Sequence, residues 1–116
     1  LNCHAESINA EFFKPCNEQK AKAVLSAARG VVLLDQPEKG IYPTADDANG
    51  KEQVFIGRVR QDFSAESAIN MWVVADNLLK GAAQNAVSIA ELLIKGWKNG
   101  FRAKNRFSNE KSVKNT

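Results

Sequence analysis

The residues of this chain that can do acid–base or nucleophilic chemistry are few, and most lie near its start. His4 is the only histidine, and Cys3 and Cys16 are the only cysteines. An imidazole exchanges protons near neutral pH, and a thiol can act as a nucleophile. The segment 6–12 alternates apolar and polar residues like a half-buried strand, and neighbours on a strand point to opposite faces. Cys3 and His4 therefore do not pair with each other, and His4 is either a surface residue or a base whose nucleophile comes from elsewhere.

Other catalytic and ligand-binding motifs are absent from the sequence. It contains no GxGxxG or GxxxxGK[ST] loop, no CxxC and no pair of histidines at metal-ligand spacing. We therefore expect no phosphate loop and no metal site. Two cysteines do not make a disulfide framework, so a cytoplasmic location is the default expectation.

The charge of the chain is distributed unevenly. Residues 95–116 contain seven basic residues and one acidic residue, a net charge of +6, whereas residues 1–94 carry nine basic and twelve acidic residues, a net charge of −3. A uniformly basic face for nucleic acid is therefore not expected. No apolar run reaches the roughly 18–20 residues of a membrane helix, so we expect no membrane partner either.

Hydrophobic periodicity predicts the elements that must position these residues. Period-2 or continuous apolar runs predict strands over 6–12, 31–35, 53–61 and 69–75, and a 3.6-residue period predicts a helix over 16–30. Asn17 is its expected N-cap and Gly30 its expected stop. Residues 36–52 are rich in turn formers and predict a long loop. The order β-α-β-β-β-α predicts an α+β fold in which helices cover a mixed or antiparallel sheet of about four strands.

Two elements carry features that packing alone need not explain. In strand 53–61, Arg58 and Arg60 are expected on one side with Ile56, and Val59 on the other, so the arginine side faces water, a partner chain or an anionic ligand. The segment 76–97 predicts a long helix capped by Asp76. The first half of this helix carries small side chains around Gly81. An interior glycine costs about 1 kcal/mol relative to alanine, and here it allows either tight helix–sheet packing or a flat ligand.

Three segments, in order, resemble one enzyme family. "INMWVVADNLLKGAAQNAVSIAELL" (69–93) resembles the C-terminal strand and helix of aspartate-semialdehyde dehydrogenase. "CHAESINAEF" (3–12) and "YPTADDANGKEQVFIGRVRQD" (42–62) resemble two upstream segments of that family. The resemblance covers residues 1–94.

The resemblance implies an activity. The family catalyses the reversible, NADPH-dependent reductive dephosphorylation of L-aspartyl-4-phosphate to L-aspartate 4-semialdehyde, phosphate and NADP. This step feeds the synthesis of lysine (through diaminopimelate), threonine, methionine and isoleucine. A family cysteine attacks the acyl phosphate to give a thioester, which takes the hydride, and a histidine serves that cysteine as acid and base.

The resemblance also assigns roles to particular residues and predicts the organisation of the chain. His4 stands at the position of the acid/base histidine, Asn77 at that of an amide beside the nicotinamide, and Gly81 leaves room next to the cofactor. Residues 1–75 are expected to belong to the C-terminal catalytic and dimerisation domain of a homodimer or homotetramer. Residues 76–97 are expected to form a C-terminal helix that packs on a nucleotide-binding Rossmann domain, and residues 98–116 a basic, disordered tail.

The family's Rossmann half, its nucleophilic cysteine and a substrate-binding arginine have no counterpart in the chain. We therefore expect a piece of a larger protein that is inactive alone. Two alternatives remain open at this point. One is a fragment of N-acetyl-γ-glutamyl-phosphate reductase, which has a similar helix start. The other is a non-catalytic dimerisation module.

Overall fold

The computed structural model describes residues 2–98 of the chain, which divides into two compact units, Leu1–Asn85 and Ala86–Thr116. Helix α3 (Gln84–Lys98) begins at the end of the first unit and is the described part of the second. A π-helical turn, Leu79–Ala83, precedes it, and a 3-10 turn occupies Pro37–Lys39. The remaining elements are β1 (Cys3–Glu11), α1 (Glu18–Ala27), β2 (Val31–Leu33), α2 (Ala45–Ala48), β3 (Val54–Asp62) and β4 (Ala68–Asp76).

The four strands form one mixed sheet in the order β1-β4-β3-β2. β4 is antiparallel to both of its neighbours, and the short β2 is parallel to β3. The expected α+β fold with a mixed sheet of about four strands is confirmed. Between residues 2 and 98, no helix combines the length and the apolar character needed to cross a membrane.

Capping side chains set the bounds of both helices in the first part of the chain. Asn17 Oδ1 accepts the backbone N–H of Lys20 at 2.8 Å, as expected of the N-cap of α1. The segment expected to be a long loop contains α2, because Thr44 and Asp47 form a capping box. The backbone N–H and the hydroxyl of Thr44 donate to Asp47 Oδ2 at 2.8 and 2.9 Å, and these bonds lower the pKa of the Asp47 carboxyl.

The apolar core has two parts. Ile56, Val59 and Ile69 form one buried cluster, which includes Leu25 of α1 among its partly buried neighbours. Phe55, Val74 and Ala48 of α2 form the other cluster. Since Phe55 and Ile56 are consecutive strand residues, the clusters lie on opposite faces of the sheet.

A β-bulge in β3 changes the expected alternation of its side chains. The pairing register with β4 shifts between Gly57 and Arg60, and Arg58 has a φ of 50°. Ile56 and Val59 consequently share one core cluster, so the expectation that they lie on opposite sides was wrong. The bulge inserts an extra residue into the strand and reverses the alternation beyond it.

The predicted helix over 76–97 differs from the structure at its start. Asp76 is the last residue of β4, where it pairs with Cys3, and α-helical geometry begins only at Gln84. The pairing with β1 holds Asp76 in the extended conformation, so its side chain caps the turn that follows rather than starting an α-helix. The prediction of a basic tail over 98–116 lies outside the described residues, except that Lys98 ends α3.

Candidate functional site

A cavity of about 230 Å³ opens on the face of the sheet that carries His4. It lies within the first unit, at the end of the sheet where β1 begins and β4 ends. Four polar side chains and an apolar set line it together with Gly81. These residues are His4, Glu6, Asn77 and Lys80, with Val54, Val73 and Ala75.

Strand pairing brings His4 to this cavity. His4 is paired with Ala75 and Glu6 with Val73, so the period of two places both β1 side chains on the same face as the apolar set. Both side chains are exposed. An imidazole that reaches solvent and a cavity at once can exchange a proton with a ligand bound there.

Asn77 is fixed by the residues next to it. Its backbone N–H donates to the Asn2 carbonyl oxygen at 3.0 Å. The neighbouring Asp76 carboxylate is buried and accepts the backbone N–H groups of Gly50, Leu78 and Leu79 at 2.9, 3.0 and 3.3 Å. These bonds, that from Gly50 first, lower the pKa of Asp76. The chain therefore leaves β4 in a defined direction and holds Asn77 at the cavity.

Gly81 lies one residue after Lys80 in the π-helical turn, and the space beside it is open. The nearest atom to a Cβ placed there is the Cβ of Asn77, at 3.8 Å, which is an ordinary van der Waals contact. Packing within the first unit therefore does not require a glycine at this position. The ammonium of Lys80 extends toward Gly30, 4.0 Å from where a Cβ on that glycine would lie.

The cysteines do not join this group. Cys3 lies on the opposite face, where its thiol contacts the Ala45 carbonyl oxygen at 3.5 Å, and burial raises its pKa. Cys16 lies beside Ser67, whose hydroxyl accepts its backbone N–H at 2.8 Å. A thiol with a raised pKa is a poor nucleophile near neutral pH. The described lining of the His4 cavity contains no cysteine, serine or threonine.

The structure brings together His4, Asn77 and Gly81, the three residues to which the resemblance assigned roles, and it adds two that sequence reasoning missed. Glu6 shares the strand face of His4 at a separation of two residues, a signal that the alternation of β1 already contained. Lys80 follows Asn77 by three residues, a spacing that places both on one face of a helical turn. The arrangement offers proton transfer by an imidazole, paired hydrogen bonds from an amide, and one charge of each sign. Residues 2–98 contain no group of three side chains that could hold a metal ion.

Comparison with known proteins gives a consistent result. The family model "Semialdehyde dehydrogenase, dimerisation domain" matches residues 1–80. Aspartate-semialdehyde dehydrogenase of Aquifex aeolicus is 49% identical over 92 residues, which are 79% of this chain and 27% of that protein. The enzyme of the same name from Legionella pneumophila is 48% identical over 91 residues, which are 78% of this chain and 26% of its own length.

Solved structures agree with the sequence relatives. The crystal structure of aspartate semialdehyde dehydrogenase II from Vibrio cholerae superposes with a TM-score of 0.72 at 45% identity, covering 80% of this chain and 27% of the other. A second structure of that enzyme, complexed with ASA, matches equally well. The chain thus spans about a quarter of the length of the relatives that it matches.

Proposed function

The chain belongs to the semialdehyde dehydrogenase dimerisation-domain family, and from this premise we propose that it is the C-terminal part of an aspartate-semialdehyde dehydrogenase. The proposed reaction is the reversible, NADPH-dependent reductive dephosphorylation of L-aspartyl-4-phosphate, which gives L-aspartate 4-semialdehyde, phosphate and NADP. The single observation that carries the proposal is the position of His4, Asn77 and Gly81 at one cavity, although His4 is far from the other two in sequence.

In this proposal His4 is the acid and base. A thiol must lose its proton to attack the acyl phosphate, and phosphate leaves as the thioester forms. The imidazole of His4 would accept that proton and return it in the reverse direction. The thiol comes from a part of the protein other than this segment, because Cys3 is on the opposite sheet face and Cys16 is away from the cavity.

Asn77 and Gly81 fit a nicotinamide ring. A side-chain amide offers donors and an acceptor, which match those of a carboxamide. Gly81 has no steric need to be glycine, so the space beside it is available to a flat ring. When bound, NADPH would supply the hydride that reduces the acyl group. The chain's own part is to hold the carboxamide and to leave room for the ring.

The proposal also covers the oligomeric state of the protein, its cellular location and its biosynthetic pathway. As a dimerisation domain, the chain is expected to act in a homodimer or homotetramer, in the cytoplasm, in the synthesis of lysine through diaminopimelate and of threonine, methionine and isoleucine. Exposed apolar side chains along α3, including Val87, Ile89 and Leu92, support the proposed packing of this helix on a nucleotide-binding domain. Without the nucleophile and that domain, the 116-residue chain is expected to be inactive.

A chimeric enzyme tests the proposal. The 92 residues of this chain that match the Aquifex aeolicus relative replace the corresponding segment of that enzyme, and turnover is measured with aspartate semialdehyde, NADP and phosphate. We expect an active chimera. His4→Asn should lower kcat about 10²–10⁴-fold, because general acid–base catalysis contributes about that much. Circular dichroism should show that the fold is unchanged.

The cofactor contact is tested in the same chimera. Asn77→Ala should raise KM for NADP more than KM for the aldehyde, and it should weaken NADPH binding measured directly by fluorescence titration. Gln53→Ala is the matched control, since Gln53 is an exposed amide that lines neither this cavity nor any other described here. Retention of most of kcat in His4→Asn, or equal effects of Asn77→Ala on both KM values, would refute the respective assignment.

A further inference from the structure

A second cavity, of about 270 Å³, lies beside the bulge of β3 and shares no lining residue with the His4 cavity. It lies within the first unit, between the start of α1, the residues that follow β2, and Arg58 to Arg60 of β3. These are the two arginines for which the sequence allowed water, a partner chain or an anionic ligand, and the bulge brings both to one cavity. The proposed function makes no use of them.

The backbone of Arg58 is held in an unusual conformation at this cavity. Among the described residues it is the only non-glycine with a positive φ, 50°. The Asp35 carboxylate, whose side chain is 2% exposed, accepts the backbone N–H groups of Arg58 and Val59 at 3.0 and 3.1 Å. Glycine and asparagine adopt a left-handed conformation more readily than other residues do. An arginine kept in this conformation therefore indicates a role for its side chain.

The charges at the cavity leave the guanidinium groups without an acidic partner. Lys22 Nζ lies 2.8 Å from Glu18 and 3.4 Å from Asp35, so one positive charge is shared by two carboxylates and this group of three keeps one negative charge. Arg60 donates to the Arg58 carbonyl oxygen at 2.7 Å. Across residues 2–98, no carboxylate lies within ion-pair distance of either arginine. Two exposed guanidinium groups thus have no carboxylate within ion-pair distance, and the formal charges of the cavity lining sum to +1.

The rest of the lining is largely apolar. Pro37, Ile41 and Val59 contribute apolar walls, and the ring of Tyr42 lies 6.0 Å from the guanidinium carbon of Arg58. Binding cavities for small molecules typically combine such walls with a few polar groups that fix orientation. A planar guanidinium binds a carboxylate through two parallel hydrogen bonds. The nearby carboxylates of Glu18 and Asp35 disfavour a ligand with a higher negative charge, such as a phosphate dianion.

We propose that this cavity binds a small carboxylate with an apolar body, which the guanidinium groups of Arg58 and Arg60 hold by its carboxylate while Tyr42, Pro37 and Ile41 contact its body. The proposal is independent of the proposed dehydrogenase function, because it uses none of the residues assigned to that reaction. The bulge, fixed by Asp35, presents Arg58 to the ligand.

Calorimetric titration of the full 116-residue chain tests this proposal. Benzoate is the probe, and benzamide is its neutral counterpart of the same shape. Arg58→Asn removes the charge while keeping a residue that accepts the left-handed conformation, and Arg60→Gln removes the second charge. Lys14→Gln is the matched control, because Lys14 is an exposed cation that lines no described cavity. Urea unfolding of each variant reports its stability.

We expect benzoate to bind at least ten-fold more tightly than benzamide. Arg58→Asn and Arg60→Gln should each weaken benzoate binding at least ten-fold, and Lys14→Gln should not change it. Arg58→Asn should unfold at the same or a higher urea concentration than the parent, since asparagine is less strained there. Equal binding of the two probes, or undiminished benzoate binding by Arg58→Asn, would overturn the proposal. A loss of stability in Arg58→Asn would also overturn it, because Arg58 would then serve the bulge rather than a ligand.

Discussion

Gly57 shows how a single residue controls the close approach of two parts of the chain. A Cβ at this position would overlap the Leu34 carbonyl oxygen and Cδ of Pro43. Pro43 is fully buried, and its carbonyl oxygen accepts the indole N–H of Trp72 at 2.9 Å. The absence of a side chain at Gly57 therefore lets the segment after β2 lie directly on β3.

The substitution Gly57→Ala is expected to destabilise the chain by about 3 kcal/mol, the upper end of the range for overpacking, because backbone rather than a flexible side chain must move. Gly81→Ala is the matched control. It meets only an ordinary contact and should change stability by no more than about 1 kcal/mol, in the favourable direction if helix propensity dominates. Urea unfolding of the parent and both variants measures the difference. Similar stabilities of the two variants would contradict this interpretation of Gly57.

At the same scale, the sequence allowed only part of the candidate site to be predicted. His4 stood out because it is the sole histidine, but its role, like those of Asn77 and Gly81, came from the family resemblance. Residue types alone do not show that these three residues lie close together in space, because their proximity depends on the pairing of β1 with β4. Glu6 and Lys80 were missed because neither residue type is unusual on a surface.

At the scale of elements, the junction between β4 and the π-helical turn depends on one carboxylate. Asp76 closes the strand pairing with Cys3 and also accepts the backbone N–H groups that begin the next turn. A third bond, from Gly50, ties the segment after α2 to the same carboxylate. Because all three donors are backbone groups, the ionised form of Asp76 is the one that suits the folded state.

Acidification is therefore expected to loosen this junction. The pKa of Asp76 is lower in the folded chain than its ordinary value of about 3.9. Its contribution to stability is fully present above that ordinary pKa and is lost as the pH falls through the folded pKa. Urea unfolding between about pH 6 and pH 3 should show a shallower decline in Asp76→Asn than in the parent.

Other carboxyl groups also affect the pH dependence of stability, and one of them provides a control variant. Asp47 and Asp62 also have lowered pKa values, through bonds from Thr44 and Ser64 respectively, so some decline remains in the variant. Asp46→Asn removes an exposed carboxylate from α2 and should leave the decline unchanged. The same pH dependence in Asp76→Asn and in the parent would show that Asp76 does not govern the junction.

The sequence predicted the elements well where the signal is local. The strand alternation and the Asn17 cap of α1 depend on residues close in the chain, and both are found in the structure. The bulge in β3 was missed because Asp35, which fixes it, is 23 residues from Arg58. The π-helical turn was missed for a similar reason, since β1 holds Asp76 in the strand and delays the helix.

At the scale of the whole molecule, both cavities lie in the first unit, on the sheet or at its edge. The first unit thus contributes the imidazole of His4, the amide of Asn77 and the open space beside Gly81. The proposed chemistry also needs a thiol and a nucleotide-binding domain. Relatives about four times longer than the matched region are consistent with such a division. The contribution of the chain to an assembly can be tested on the chain itself.

Three phenylalanines are exposed at the end of the sheet opposite the His4 cavity. Phe12 and Phe13 directly follow β1, and Phe63 directly follows β3, where both strands pair with Ala68. Their exposures are 42%, 112% and 94%. Exposed aromatic side chains are enriched at the centres of protein interfaces.

We expect the 116-residue chain to sediment as a dimer through this aromatic end. Phe13→Ser together with Phe63→Ser should weaken the dimer at least ten-fold in analytical ultracentrifugation, since two large apolar contacts are lost from each copy. Val24→Ser is the matched control, because Val24 is 62% exposed on α1, away from these strand ends. A monomer at all concentrations would contradict self-association of this chain. A dimer that the double variant leaves intact would place the interface elsewhere on the chain.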